Sequence, residues 1–125
     1  MKEVEVLLLD DEIEIADEVA DYLSGRGVKA IGLFTPAMLE DELGRMEKVR
    51  VVVTDLRMPG RSGFDFIRSI KEKFPDRRLS FVVMSGFISP EDVEAGRQLG
   101  VVDFLRKPVA PQELMDAILP LLRGS

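Results

Sequence analysis

The sequence predicts a single doubly wound α/β domain, in which five βα units build a parallel five-stranded sheet of order 2-1-3-4-5. Three observations predict it. Apolar runs of strand length alternate five times with stretches of helical period over 125 residues. Three of those runs, Val4 to Leu9, Val51 to Thr54 and Leu79 to Met84, are almost continuously apolar, as strands covered on both faces must be. Glycine, proline, serine and threonine punctuate the junctions. Right-handed crossovers then place helices on both faces of the sheet, with the three most apolar strands central and the second and fifth at its edges.

Each element follows in order. Val4 to Leu9 ends in Asp10 and Asp11, and Ile15, Val19 and Leu23 at helical spacing form the first buried stripe until Gly25 and Gly27 stop it. Val28 to Phe34 alternates small or polar residues with Ile31 and Leu33, as a less covered strand does. Thr35-Pro36 is an N-cap followed by proline at the first helical position, and Leu39, Leu43 and Met46 supply the second stripe. Val51 to Thr54 runs into Asp55, and Pro59, Gly60 and Gly63 break the chain into a loop. Ser62 and Asp65 form a loose capping box for a helix with Ile67, Ile70 and Phe74 inward and Pro75 at its end. After Leu79 to Met84, Ser89-Pro90-Glu91-Asp92 starts a fourth helix. Gly96 in its interior costs roughly 1 kcal/mol relative to alanine, which marks this helix as the loosest. Val101 to Leu105 is the last strand, and Leu114, Ile118 and Leu121 face inward from the last helix, whose final turn Pro120 limits or kinks. Met115, Leu119 and Leu122 lie beside them as a second apolar stripe, either an outward docking face or a wider core face.

Composition narrows the chemistry. With 46% hydrophobic and 32% charged residues the chain is one globular domain, read as residues 1–123 with a short tail at 124–125 of the kind cloning leaves behind. No cysteine and no histidine occur, which excludes disulfides, thiolate catalysis, the usual zinc ligands and the usual general base. What remains is carboxylate, hydroxyl, amine and hard-cation chemistry. A net charge of −6 argues against unaided nucleic-acid binding, which rests on a basic face. No apolar run approaches the roughly 20 residues of a membrane span, and the start, MKEVEVLLLDDE, meets carboxylates too early for a signal peptide, so the expected location is cytoplasmic and off the membrane.

In a sheet of this order the winding reverses between the first and third strands, and ligands bind in the crevice at their carboxyl ends. Asp10, Asp11 and Asp55 converge there. Acids before a helix often serve only to cap it. Here, however, they end two strands that the topology sets side by side, and three carboxylates kept ionised together need a counter-charge. Magnesium suits such a site, with one or two carboxylates, waters and a phosphate oxygen as ligands. Ser85 ends the fourth strand with a hydroxyl able to donate to a phosphoryl oxygen, and Lys107, after the fifth, is the amine placed to pair with a carboxylate or phosphoryl group.

With these residues assembled, the whole chain resembles the receiver domain of two-component response regulators, a flavodoxin-like fold. Asp10-Asp11, Asp55 in TDLRMPGRSG, Ser85-Gly86, and Phe104 with Lys107-Pro108 carry the resemblance. It implies that Asp55 accepts a phosphoryl group from a phosphohistidine of a sensor histidine kinase or phosphotransfer protein. It implies magnesium, or manganese in its place, held by Asp11, Asp55 and the backbone carbonyl of Arg57, with Asp10 acting partly through water. Lys107 would bind the phosphoryl oxygens beside a cis Lys107–Pro108 peptide, and the Gly86 amide would share their charge. Ser85 and Phe104 would be the switch pair that alters the face of the fourth helix, fifth strand and fifth helix, read by an output domain or partner protein or through a phosphorylation-dependent dimer. Self-catalysed phosphoryl transfer and autodephosphorylation would be the only chemistry, with no enzymatic action on other substrates.

Serine stands at residue 85 where threonine is common in that family, and phenylalanine at residue 104 where tyrosine is frequent. The hydroxyl is kept in the first case. In the second the ring has no phenol to hydrogen-bond outward, which favours its buried rotamer. The resemblance also implies that Arg57 and Phe87 occupy positions that in that family flank the phosphorylation site and influence water access. Two other readings compete. An aspartyl-phosphate phosphohydrolase of another α/β family would want a second acid two residues after the nucleophile, where this chain has Arg57. A flavodoxin-like electron carrier would cradle a flavin phosphate in a first loop that here is acidic, Asp10-Asp11-Glu12.

Overall fold

A computed structural model describes residues 3–58 and 60–123. Pro59, and the tail at 124–125, lie outside the described residues. The elements run β1 (Val6–Leu9), α1 (Ile13–Gly25), β2 (Ala30–Leu33), α2 (Pro36–Arg45), β3 (Val51–Asp55), β4 (Arg57–Met58), β5 (Arg61–Ser62), α3 (Gly63–Lys73), β6 (Ser80–Ser85), α4 (Pro90–Gln98), β7 (Val101–Arg106) and α5 (Pro111–Arg123).

β2, β1, β3, β6 and β7 form one parallel sheet in that order. This is the expected 2-1-3-4-5 once the small hairpin β4–β5 is set aside. The hairpin departs from the sequence pattern: the stretch reads as a loop, yet Arg57 pairs with Ser62 and Met58 with Arg61 about a turn where Gly60 has φ +75°. β1 and β2 start two residues later than the apolar runs and β6 one later, β2 ends one residue earlier, and β3, β6 and β7 extend one residue further, to Asp55, Ser85 and Arg106.

The sheet divides the core into two layers. Leu7, Leu9, Val52 and Val83 point to one side and meet Leu39, Leu43, Phe66, Ile67 and Ile70 of α2 and α3. Val6, Leu8, Val51, Val53 and Val82 point to the other and meet Ala16 and Leu23 of α1 and Leu114, Met115 and Ile118 of α5. Alternate residues of each central strand serve opposite layers, so β1 and β3 are buried throughout.

The caps form largely as expected. The Thr35 hydroxyl accepts from the Met38 amide, and Ser89 and Asp92 make a full capping box. Ser62 accepts from the Asp65 amide, whereas the Asp65 carboxylate pairs with Arg68 instead of closing the box.

The α1 stripe needs correction, and the α5 stripe takes one of its two readings. In α1 the buried residues are Ala16, Ala20 and Leu23, while Ile15 is 41% exposed and Val19 only partly buried. The reason is close approach. A Cβ on Gly32 of β2 would stand 2.6 Å from the Ala16 carbonyl oxygen, so α1 lies on β2 through its small residues and turns the larger Ile15 outward. In α5 Met115 is buried, and Leu119 and Leu122 are partly buried against the same core layer. The second stripe therefore widens the core face and is not an outward docking stripe. Met46, Phe74 and Leu121 are partly buried at the ends of their stripes.

Candidate functional site

β1 and β3 run in parallel register with Leu9 opposite Thr54, which brings the residues at their carboxyl ends together. Asp10 and Asp55 are 1% and 3% exposed, Asp11 is exposed, and one carboxylate oxygen from each lies within 4.8 Å of the others. Asp10 also does the capping work that acids in such a place do, its Oδ1 accepting from the Glu12 amide at 2.9 Å. Its other oxygen remains directed at the cluster.

The counter-charge comes from the far edge of the sheet. Lys107 Nζ lies 2.6 Å from Asp55 Oδ1 and 3.3 Å from Asp10 Oδ2. Its loop is fixed where the Lys107 amide donates to the Ser85 carbonyl at 2.8 Å, and the Lys107–Pro108 peptide is cis, as the resemblance implied.

One amine shared by two buried carboxylates leaves the site under-neutralised. Burial pushes the Asp55 carboxyl up from 3.8 to about 6, with the Asp10 charge adding to the rise and Lys107 opposing it. Burial works against the Lys107 charge too, but the hydrogen bond and charge of Asp55, aided by Asp10, overcome it and raise its pKa above the ordinary lysine value. The residues present fit a hard divalent cation: an all-oxygen donor set, excess negative charge, and one member open to solvent.

Asp55 is set rigidly. The Thr54 hydroxyl donates to its carbonyl, and the next amide, Leu56 N, donates to Met84 O. Gly63, which opens α3, packs against this strand end so tightly that a Cβ there would stand 2.3 Å from the Asp55 carbonyl oxygen. In the sequence Gly63 reads only as a loop breaker, and its role as the residue that lets the returning chain touch Asp55 needs the fold to be seen.

Ser85 ends β6 beside the cluster, since Asp55 registers with Met84. It is 4% exposed, and its hydroxyl is fully engaged: Oγ donates to Phe87 O at 2.8 Å and accepts from Arg57 Nη1 at 2.7 Å and from Phe87 N at 3.3 Å. Gly86 follows, exposed, with nothing within 4 Å of a built Cβ. Phe104 is not drawn into the cluster. It registers with Val83 on the edge strand β7, partly buried, its ring against Gly96 of α4.

The Arg57 side chain is the contact that sequence reading missed. Besides Ser85 Oγ, its Nη1 reaches Phe87 O at 2.8 Å, and its Nη2 lies 3.4 Å from Asp92 Oδ2. These partners are 28 to 35 residues away, and no local pattern announces them.

A family model described as the response regulator receiver domain matches residues 6–119. The transcriptional regulatory protein PdtaR of Mycobacterium tuberculosis is 31% identical over 113 residues, 90% of this chain and 54% of its own length. The hydrogenase transcriptional regulatory protein HoxA of Cupriavidus necator is 28% identical over 120 residues, 94% of this chain and 24% of its own. The chain thus spans between about a quarter and about half of these relatives. A solved response regulator receiver protein from Pseudomonas putida aligns with a TM-score of 0.81 at 32% identity, over 100% of this chain and 99% of that one. The beryllofluoride-activated NtrC4 receiver domain dimer aligns with a TM-score of 0.83 at 27% identity, over 96% and 97%.

Proposed function

The chain belongs to the response regulator receiver domain family, and from that premise we propose that it is a phosphoacceptor switch in which Asp55 takes a phosphoryl group from a phosphohistidine on a kinase or phosphotransfer protein. The observation that carries this reading is the approach of Lys107 Nζ to 2.6 Å from Asp55 Oδ1, inside a cluster of three carboxylates. A carboxylate oxygen of Asp55 attacks phosphorus in line, a P–O bond forms as the donor's P–N bond breaks, and the electron pair leaves with the imidazole nitrogen. The nucleophile is already an anion, so no general base is needed, which suits a chain without histidine.

Lys107 is held where it can follow the charge from the carboxylate onto the phosphoryl oxygens, and Ser85 and the Gly86 amide supply further donors at the end of β6. Asp10, Asp11, Asp55 and the Arg57 carbonyl would hold magnesium or manganese, which when bound supplies charge neutralisation for the acids and the transferring group. The donor set and its uncompensated charge support that assignment.

In this reading the chain acts on no other substrate, works in the cytoplasm, and meets proteins rather than nucleic acid, in keeping with its net charge of −6. Among the described residues no helix is long and apolar enough to cross a membrane. An output domain or partner, or a second copy of the chain as in the NtrC4 dimer, would read the face of α4, β7 and α5.

The test is phosphorylation by acetyl phosphate with magnesium. One acid-stable, hydroxylamine-labile phosphoryl group mapped to Asp55 and absent from Asp55→Asn is expected. Stoichiometric uptake by Asp55→Asn would overturn the assignment.

A further inference from the structure

α4 is poorly anchored by apolar packing: of its nine residues only Gly96 is buried. Polar contacts hold its ends. At the C-terminal end, Lys71 of α3 donates to the Leu99 carbonyl at 2.8 Å. At the N-terminal end, Arg57 reaches Asp92, the residue that also closes the capping box by accepting from the Ser89 amide at 2.9 Å. The Ser89 amide first, with help from Arg57, keeps the Asp92 carboxyl below its ordinary value.

The same guanidinium that touches α4 also touches Ser85. Nη1 is forked between Ser85 Oγ and Phe87 O, and Nη2 faces Asp92. A hydroxyl offers one donor and two acceptor positions, and those of Ser85 are all in use. To donate to a phosphoryl oxygen on Asp55, Ser85 must give up its bond to Phe87 O. Its bond from Arg57 need not break, because there Ser85 is the acceptor. The Arg57 contact to Asp92 is at 3.4 Å the longest of the set, between side chains 56% and 20% exposed, and is the one to yield. New negative charge on Asp55 pulls the guanidinium in the same direction.

We propose that Arg57 is a positioning residue that couples Ser85 to α4: it moves with Ser85 toward a phosphoryl group on Asp55 and in doing so releases Asp92 and the first turn of α4. This rests on the phosphoacceptor reading above and names the residue that carries its signal from the acid cluster to the helix. The coupling has a direction. At rest the guanidinium steadies α4, and the modified acceptor withdraws that support, so the N-terminal turn loosens on activation.

The test is amide hydrogen exchange over residues 89–93, with beryllofluoride and magnesium as the phosphoryl mimic and fluorine NMR reporting its binding. Wild type, Arg57→Gln and Asp92→Asn are compared; asparagine keeps an acceptor for the Ser89 amide while removing the charge. In wild type, binding should raise exchange in this segment about threefold, the size of an exposed ion pair's contribution. Both variants should already exchange at about the raised rate without the mimic and change little when it binds. A variant that binds beryllofluoride and still shows the full wild-type change overturns the coupling, as does a wild type that binds it with no change at 89–93. Should Arg57→Gln lose binding where wild type is saturated, Asp92→Asn decides the matter. Failure of wild type to bind beryllofluoride at all overturns the phosphoacceptor reading itself.

Discussion

The ring of Phe104 occupies the space that a side chain at Gly96 would need: a Cβ built on Gly96 stands 2.5 Å from the ring's Cζ and 2.7 Å from its Cε2. A residue that looks like a helix defect in sequence is thus the seat of an aromatic ring from the neighbouring strand. Phe64 Cε1, at 3.2 Å from the same point, closes the seat.

Gly96→Ala therefore sets two effects against each other. Alanine improves helix propensity by about 1 kcal/mol, while overfilling the seat costs typically 1–3 kcal/mol, less if the ring swings out. In wild type the substitution should be neutral or destabilising; in a Phe104→Ala background it should stabilise. A double-mutant cycle by urea denaturation should give a coupling of about 1 kcal/mol or more, and additivity would deny the contact.

The raised pKa of Asp55 makes a signed prediction for the metal-free protein in chelator. The folded state binds this proton more tightly than the unfolded chain, so the ionised carboxylate subtracts stability above pH about 6. The deficit shrinks as pH falls from about 6 toward 3.8 and vanishes below. At roughly 1.4 kcal/mol per pKa unit its full size is about 3 kcal/mol. Asp55→Asn should accordingly be more stable than wild type at pH 7.5 and equal to it near pH 4, measured by denaturation at each pH. A difference that does not vary with pH would contradict the burial argument.

Magnesium should stabilise by binding only where the three carboxylates are assembled. A ligand specific to the folded state adds about 2.7 kcal/mol at a hundredfold excess over Kd. The rise in melting temperature should be largest at neutral pH and much reduced in Asp55→Asn. A melt indifferent to magnesium would mean that the acids do not hold the ion.

Lys107→Ala removes the amine that Asp55 and Asp10 share. Leaving buried carboxylates without a partner should cost about 1–3 kcal/mol at pH 7.5 in chelator. The loss should diminish near pH 5, where Asp55 takes up its proton, and acetyl phosphate should label the variant slowly. Equal labelling and stability would show that the lysine is a bystander.

Gly63→Ala should be among the most damaging small changes. Its Cβ would meet the Asp55 carbonyl oxygen at 2.3 Å and Leu56 Cα at 2.9 Å, backbone atoms that cannot swing aside. A loss of about 2 kcal/mol or more is expected, with impaired labelling of Asp55. By contrast Ile15→Gln, at a residue 41% exposed, should stay within about 0.5 kcal/mol of wild type.

By itself the sequence determined the five βα units, the order of the sheet and the meeting of Asp10, Asp11, Asp55 and Lys107. The reason is that these follow from local period and from chain order: a buried strand announces itself in consecutive valines, and handed crossovers leave few ways to stack such strands. Acids at the ends of β1 and β3 then have nowhere to go but the same crevice. Tertiary structure alone decided how each helix is turned about its axis and where long side chains run. Ile15 and Ala16 both fit a helical stripe, and only the close seat of α1 on Gly32 selects Ala16. Gly96 reads as a flaw until the Phe104 ring is seen filling its place. Arg57 reads as a loop cation until its guanidinium is found between Ser85 and Asp92. Those contacts join residues with no common period, and the distances between them exist only once the chain has folded.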